Sequence, residues 1–106
     1  MSWINNATVT TAADKAATAK AAARQAAKQI RDEALANLTY TFADGREIQT
    51  RLGDQSLIQG AIAYGGDDWI MVDNTVAWVS AEELAEALEA AVMAVKVIFN
   101  NYKAAL

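Results

Sequence analysis

The sequence predicts an α+β fold: a long Ala-rich N-terminal helix, antiparallel hairpins forming a small sheet, a short helix and a long amphipathic C-terminal helix. Three patterns support this prediction. Residues 12–36 include twelve alanines and neither Gly nor Pro, a composition with very high helix propensity. Apolar and polar residues alternate on both sides of Asp44-Gly45, as they do in β-strands. Apolar residues recur every three or four positions between residues 84 and 105, as on one face of a helix.

The chain divides into two parts. Its 106 residues are enough for one domain. Residues 1–36 are predicted to be a tail and an Ala-rich docking or oligomerisation helix, and residues 37–106 a compact α+β domain. In the tail, Trp3 and Ile4 are isolated apolar residues within a polar segment rich in Thr and Asn. We expect this pair to dock onto a partner protein.

The Ala-rich helix carries a coiled-coil pattern. Thr10 or Thr11 can cap its start, and Asp14 then lies in the first turn, where the helix dipole favours a carboxylate. Alanine buries little area but permits close approach of two backbones. The pattern is therefore compatible with a solvated helix that has one narrow face on the domain, with a self-associating stalk, or with an anchor into a larger assembly. The seam, with spacings of three and four, consists of Ala16, Ala19, Ala23, Ala26 and Ile30.

A hairpin and a short helix are predicted next. Residues 38–42 and 47–52 alternate as strands, and Asp44-Gly45 is a hairpin turn because Gly accepts a positive φ at no cost. Asp54 is predicted to cap a helix from Gln55 to about Tyr64, ended by residues 65–68. The predicted buried face of that helix is Leu57, Ile58, Ala61 and Ile62.

A second strand pair leads into the main helix. Residues 69–73 and 75–79 are β-prone and are separated at Asp73-Asn74. Ser80 followed by Glu83 is a capping box, from which the helix runs to about Ala105. Met93 and Val97 lie outside its main apolar stripe and indicate a further covered side, against the N-terminal helix or another subunit. The stripe consists of Leu84, Leu88, Ala91, Val95, Ile98, Tyr102 and Ala105.

Composition argues against most kinds of chemistry. The sequence has no Cys and no His, so thiol nucleophiles, disulfides, thiolate zinc sites and the commonest general base are excluded. Asp67, Asp68 and Asp73 could hold a cation, but their spacing is not that of a calcium loop, and a solvated acidic turn is the simpler interpretation. We therefore expect no catalytic residue, no metal and no cofactor.

Charge is distributed unevenly. Residues 1–31 carry five cations and one carboxylate, whereas residues 32–106 carry four cations and twelve carboxylates. The simplest interpretation is that the basic segment faces an acidic one, in the same fold or in a neighbouring subunit. Binding of nucleic acid through the basic helix is a weaker alternative, because the total charge is −4 and no aromatic residues are interleaved.

No apolar run is long enough for a membrane-spanning helix, and the first residues lack a signal-peptide pattern, so we expect synthesis inside the cell.

Several short motifs follow one another from about Ala26 to Leu106. In that order and spacing, they resemble a domain of unknown function common in bacteriophage tail proteins, including tail-fibre and tail-fibre-assembly proteins. The resemblance implies a role in the virion or its assembly, and it carries over no catalytic residue. The motifs are an Ala/Arg-rich helix running into Ile30-Arg31-Asp32, Phe42-Ala43-Asp44-Gly45, Gln49-Thr50-Arg51, Asp54 before Leu57-Ile58-Gln59-Gly60-Ala61-Ile62, Trp69 before Asp73-Asn74, and Ser80-Ala81-Glu82-Glu83-Leu84.

These observations leave three hypotheses. The first is a structural component of a phage tail, in the baseplate, the fibre or a fibre-attachment adaptor. It would be made in the bacterial cytoplasm and would bind other tail proteins and its own copies, with a trimer favoured. The second is a tail-fibre assembly chaperone, which is absent from the finished particle. The third is a nucleic-acid-binding module that uses the basic helix.

Overall fold

The computed structural model describes residues 12–106, and these form three helices and two separate two-stranded antiparallel sheets. The α+β prediction is thereby confirmed. Trp3, Ile4 and the Thr10 or Thr11 cap lie outside the described residues. The elements are α1 (Ala12–Ala36), β1 (Thr39–Thr41), β2 (Glu47–Gln49), α2 (Leu52–Ala63), β3 (Gly66–Ile70), β4 (Val76–Ser80) and α3 (Ala81–Ala104).

The compact part of the chain is a repeated β–β–α unit. Strands β2 and β4 begin at Glu47 and Val76, and helices α2 and α3 begin at Leu52 and Ala81, so both pairs are 29 residues apart. Strand β1 pairs with β2, and β3 pairs with β4. Each helix follows its hairpin within a few residues. The two units share almost no sequence identity, and the sequence analysis did not detect the repeat.

The two hairpin loops have the same geometry. In the first, the Phe42 N–H donates to the Arg46 carbonyl at 2.8 Å, and the Gly45 N–H donates to the Phe42 carbonyl at 2.9 Å. Gly45 has a φ of 93°. These are the bonds of a three-residue loop, a type I turn followed by a left-handed residue. The predicted turn at Asp44-Gly45, with its positive φ, is confirmed.

The second loop repeats these bonds 29 residues later. The Met71 N–H donates to the Thr75 carbonyl at 2.7 Å, and the Asn74 N–H donates to the Met71 carbonyl at 2.9 Å. Asn74 takes the left-handed position with a φ of 67°, which Asn tolerates better than most residues. Asp73 accepts the Thr75 N–H at 3.0 Å, as Asp44 accepts that of Arg46 at 3.1 Å in the first loop.

The predicted start of the short helix is wrong by three residues. Helix α2 begins at Leu52 and its N-cap is Arg51, so β2 ends at Gln49 rather than near residue 52. Asp54 is the third helical residue, and its carboxylate accepts the Arg51 N–H at 3.1 Å. Asp54 thus has the role that Glu83 has in α3, where the Ser80 cap is as predicted.

One predicted core residue and two strand boundaries also differ. Leu57 is 65% exposed, whereas its neighbour Ile58 is fully buried, because α2 turns the face of Ile58 and Ala61 towards the core. Strand β3 begins at Gly66, which had been assigned to a helix-breaking loop, and it ends at Ile70 rather than residue 73. The shift follows from the five-residue pairing of β3 with β4, in which Gly66 lies opposite Ser80.

The core lies where both hairpins pack against α2 and α3. Its most deeply buried apolar residues come from both units: Ile48 and Ile58 from the first, and Val79 and Leu84 from the second. Half-buried residues such as Tyr40 and Trp69 surround them. The full cluster of buried residues is Phe42, Ile48, Ile58, Ala61, Met71, Val79, Leu84 and Ala87.

Helix α1 is attached to this core only through its C-terminal third. Ala27 is its one buried residue, and Arg31, Ala34 and Leu35 are half-buried. These residues belong to the part of α1 that packs against α3. Every residue from Ala12 to Ala26 is exposed. Within residues 12–106, the first fifteen residues of the helix therefore have no buried or half-buried side chain.

Gly66 is the position where the fold depends most on a glycine. It has a φ of +116°, and an added Cβ would come within 2.6 Å of the Val79 carbonyl oxygen and 2.9 Å of the Trp78 ring. We expect Gly66→Ala to lower the free energy of unfolding by about 2 kcal/mol or more, from backbone strain and overpacking together. Chemical denaturation measures this change.

Gly60→Ala is the matched control. Gly60 lies inside α2, and nothing is within 4 Å of its added Cβ. Alanine there should stabilise the protein by about 0.5–1 kcal/mol, because glycine is a poor helix former. Equal effects of the two substitutions would contradict the assigned geometry of Gly66.

Thr50 is a second test of the packing. It is 1% exposed and its Oγ1 has no hydrogen-bond partner within residues 12–106. Its counterpart 29 residues later is Val79, which is fully buried. We expect Thr50→Val to raise the free energy of unfolding by about 1 kcal/mol, because it removes an unsatisfied buried hydroxyl.

The control for Thr50 is Thr39→Val in the neighbouring strand. The Thr39 hydroxyl is exposed and donates to Glu47 Oε2 at 2.8 Å, so its loss should not stabilise the protein. A destabilised Thr50→Val variant would mean that the Thr50 hydroxyl is satisfied by a bound water.

Candidate functional site

The polar centre of the molecule is the guanidinium group of Arg46. It donates to Asp44 Oδ2 at 2.7 Å, to the Trp78 carbonyl oxygen at 2.7 Å and to the carboxylate of Glu83. It also lies over the Phe42 ring, 4.9 Å from the ring centroid. One side chain thus joins the first hairpin to β4 and to the start of α3. We call Asp44, Arg46, Ser80 and Glu83 the arginine clamp.

Glu83 has two roles in this clamp. Its Oε1 accepts the Ser80 N–H at 3.1 Å, and the Glu83 N–H donates to Ser80 Oγ at 3.1 Å, so the predicted capping box is present. The Ser80 N–H, followed by the Arg46 guanidinium, lowers the pKa of Glu83. Glu83 in turn raises the pKa of Arg46. Asp44 has a lowered pKa chiefly because it accepts the Arg46 N–H. The charges of Asp44, Arg46 and Glu83 are thus stabilised by contacts within the fold.

The acidic turn residues are not gathered into a metal site. Within residues 12–106, no group of three or more acidic side chains has the geometry to hold a metal ion. Asp73 is used by its own loop, where it accepts from the Thr75 hydroxyl at 2.6 Å. That bond is the main cause of its lowered pKa. Asp67 accepts the Asp68 N–H at 2.8 Å.

One candidate assembly surface lies on α1. The five seam residues predicted from the sequence, Ala16, Ala19, Ala23, Ala26 and Ile30, are all exposed. They do not pack within the chain, so the seam remains open to a partner. We call them, with Met93 and Val97 of α3, the helix surface. The last two are 56% and 55% exposed, and residues 12–106 therefore leave the predicted second side of α3 uncovered.

The joint between α1 and α3 is small. Arg31 places its guanidinium over the Tyr102 ring, 4.5 Å from the centroid, and 6.0 Å from that of Phe99. A cavity of about 200 Å³ lies beside it, with Ala27, Ile98 and Ala105 in its lining. This contact holds the C-terminal third of α1 against the far end of α3.

The cations of α1 are not paired with the acidic domain. Described ion pairs link Arg31 to Asp32, Arg46 to Asp44 and Glu83, and Arg51 to Asp54. None involves Lys15, Lys20, Arg24 or Lys28. Within residues 12–106, no ion pair therefore links these four cations to an acidic residue of the same fold. An acidic face on a neighbouring subunit stays a prediction.

A second candidate surface lies at the opposite end of α3. In the β3–β4 hairpin, Ile70 pairs with Val76, and Asp68 pairs with Trp78. The apolar members of these pairs point away from the core: Ile70 is 66% exposed, Val76 65% and Trp78 56%. We call these three residues the ribbon face. Such clusters of exposed apolar side chains commonly mark interaction sites.

The ribbon face was not predicted from the sequence, although a signal for it is present. Residues 69–72 are apolar at four consecutive positions, whereas a strand with one solvated face alternates. A continuous run of this kind is typical of a strand that is covered on both faces. In this chain Trp69 and Met71 face the core, and the other two face outwards.

A groove runs beside the ribbon face. It lies between α2 and β3 and has a volume of about 730 Å³. Leu57 and Tyr64 line it from α2, and Ile70 and Val72 line it from β3 and the loop after it. Tyr64 is 90% exposed. Leu57, which was predicted to be core, is thus a groove residue.

Comparison with known proteins identifies one family. The family model described as "Domain of unknown function (DUF4376)" matches residues 18–106. No curated protein and no solved structure matches the chain. Within residues 12–106, no helix is both long enough and apolar enough to cross a membrane.

The arginine clamp predicts how stability depends on pH. Since the folded-state pKa values of Glu83 and Asp44 are lowered, their stabilisation is present near neutral pH and is lost as the pH falls through those pKa values. We expect the denaturation midpoint to fall between about pH 6 and about pH 3. In Arg46→Met the denaturation midpoint should fall less over this range. The Arg46 guanidinium, which helps to lower the pKa values of both Glu83 and Asp44, is then absent.

Lys96→Met is the control, since it removes the same charge from an exposed position of α3 without touching the clamp. It should retain the pH dependence of the parent protein. Identical pH dependence in Arg46→Met and the parent would show that the clamp contributes nothing to acid sensitivity.

Proposed function

The chain belongs to the Domain of unknown function (DUF4376) family, and on that premise we propose that it is a structural component of bacteriophage tails that acts by protein–protein assembly. Its place would be the baseplate, the fibre or a fibre-attachment adaptor. The phage context rests on the resemblance of the motifs between Ala26 and Leu106. The assembly role is supported by the uncovered surfaces of the fold.

The uncovered half of α1 is the observation that carries this proposal. Residues 12–26 are helical, and each of them is exposed. An isolated helix of about fifteen residues is marginal in water even when it is rich in alanine. Most helices gain their stability by packing an apolar face. Here the only such face beyond Ala27 is the open Ala seam, so a second helix against it would supply the missing contact.

The composition of the helix surface suggests what that second helix is. Alanines at spacings of three and four allow backbones to approach closely, as in a bundle of equivalent helices. Met93 and Val97 add larger exposed apolar side chains on the neighbouring helix. We therefore propose that copies of this chain associate through the helix surface, with a trimer as the favoured state.

The position of the two surfaces favours an adaptor. The contact with α1 lies at the C-terminal end of α3, and the ribbon face precedes its N-terminal end. A helix of 24 residues spans about 36 Å. Two partners bound at its opposite ends would be held apart without competing, which is the geometry that an attachment protein needs.

The assembly chaperone is the second candidate function. The observation in its favour is the ribbon face, because an exposed apolar patch that includes a Trp suits transient capture of an unassembled protein. Detection of the protein in purified phage particles by mass spectrometry would favour the structural role. Its presence in infected cells, together with its absence from particles, would favour the chaperone.

A double substitution tests self-association. We expect Ala19→Glu with Ala23→Glu to lower the native mass measured by light scattering, because two carboxylates would enter the seam. The matched control is Ala17→Glu with Ala21→Glu, which has the same residue types and spacing on the opposite side of α1. It should leave the mass unchanged.

An unchanged mass in both variants would refute the seam as an oligomer interface.

A binding measurement addresses the nucleic-acid hypothesis. Affinity for DNA that falls steeply with salt would point to the exposed cations of α1, and its absence would eliminate that function.

A further inference from the structure

The edge of β3 that faces the groove is open. Met71 bonds to Thr75 across the hairpin, and hydrogen bonding alternates along an antiparallel pair. The N–H and C=O groups of Trp69 and Asp67 therefore point towards β4, and those of Ile70 and Asp68 point away from it. Within residues 12–106, Ile70 has no further backbone partner on that side.

Strand β2 closes this edge at one point only. The Val72 N–H donates to the Glu47 carbonyl at 2.8 Å, which confirms the direction in which this edge points. The two hairpins nevertheless form separate sheets, because they share no other backbone bond. Beyond Val72 the strands diverge, and the groove occupies the space between β3 and α2.

The groove combines this backbone edge with apolar side chains. Leu57 and Tyr64 flank one side and Ile70 the other. An extended chain alternates its side chains between two faces. A strand added beside β3 would thus place every second side chain against Leu57 and Tyr64, and the alternate ones beside Asp68 and Ile70, which share one face of β3. Its backbone would satisfy the N–H and C=O groups of Ile70 and the C=O group of Asp68, whose N–H donates to the Asp67 carboxylate at 2.8 Å.

The charge of the groove indicates which kind of chain can bind in it. Asp54, Asp67 and Asp68 line the groove, and no Lys or Arg does. Asp54 is paired with Arg51 at 2.7 Å, whereas no ion pair of Asp67 or Asp68 occurs within residues 12–106. Pairing of β3 with a second copy of itself would bring two copies of these acidic residues into one short strand pair. Like charges across a strand pair are destabilising, so self-pairing of this edge is disfavoured.

We propose that the groove binds an extended segment of a partner protein, which adds to β3 as a further strand and alternates basic with apolar residues. Main-chain hydrogen bonds to the β3 edge would give affinity. Lysine or arginine beside Asp68, together with apolar side chains against Leu57 and Tyr64, would give specificity. This is strand addition as used by several peptide-binding domains. The proposal does not depend on α1 or on the phage context.

The test uses the full chain and two synthetic peptides. One has nine residues that alternate valine with lysine, and the other has glutamate in place of lysine. We expect saturable binding of the lysine peptide by calorimetry, at least tenfold tighter than the glutamate peptide. Amide hydrogen exchange at Ile70 should slow when the lysine peptide binds. Trp69 and Trp78 fluorescence follows the same titration.

Two tests locate the site. Asp68→Asn should weaken the lysine peptide by about fivefold or more, whereas Glu82→Gln, which removes the same charge from an exposed position of α3, should leave its affinity within about twofold. Leu57→Ser with Tyr64→Ser should abolish saturable binding. Both of these residues are exposed, so the fold should tolerate the change.

Three results would overturn the proposal. The first is equal affinity for the two peptides, or the absence of binding to either. The second is binding that leaves Ile70 exchange unchanged. The third is a chain that dimerises through this edge, shown by a native mass that falls on Leu57→Ser with Tyr64→Ser, since a second copy would then be the occupant.

Discussion

The multiple contacts of Arg46 are the constraint on which the rest of the structure depends. The two hairpins share only one backbone hydrogen bond, from Val72 to Glu47, and neither two-stranded sheet would be stable alone. Arg46 lies directly after the first loop, and its guanidinium reaches β4 and the first turn of α3. It thereby fixes the angle at which the two halves meet, and the apolar side chains of both units can then close a single core. Glu83 is shared between this contact and the helix cap, so the start of α3 and the position of the first hairpin are set together.

The repeat of the β–β–α unit explains how so small a domain buries the apolar faces of its hairpins and helices. Each hairpin has an inner face that needs a helix, and each helix has an apolar face that needs a hairpin. Two copies stacked on one another bury both. The two units differ most in the length of their helices and in what those helices contact. Helix α2 is short and ends at the groove, whereas α3 continues for a further twelve residues and carries the contact with α1. The same local plan therefore produces one half that forms a groove and one half that extends towards the helix surface.

The helix surface and the groove beside the ribbon face lie apart from each other, so two partners could bind at the same time, as an assembly role requires. The helix surface is rich in small residues and lies beside exposed cations, and the groove beside the ribbon face is acidic and carries larger apolar side chains. Surfaces that differ so much in charge and shape select different partners. The fold between them is held by the ion pairs of the arginine clamp and by a buried apolar core, which suits a rigid spacer.

The sequence by itself determined the order and type of the elements, because these follow from local rules: helix propensity in α1, the φ requirement at Gly45, and the Ser80 and Glu83 cap. Its errors lie where tertiary contacts decide. Asp54 was predicted to be the N-cap, since a carboxylate suits both the N-cap and the third helical position until a partner such as the Arg51 N–H is known. Leu57 was placed in the core, since only the packing of α2 determines which of two adjacent apolar residues faces inwards. The repeat, the arginine clamp and the open edge of β3 arise from contacts between residues far apart in the chain, which no local pattern encodes.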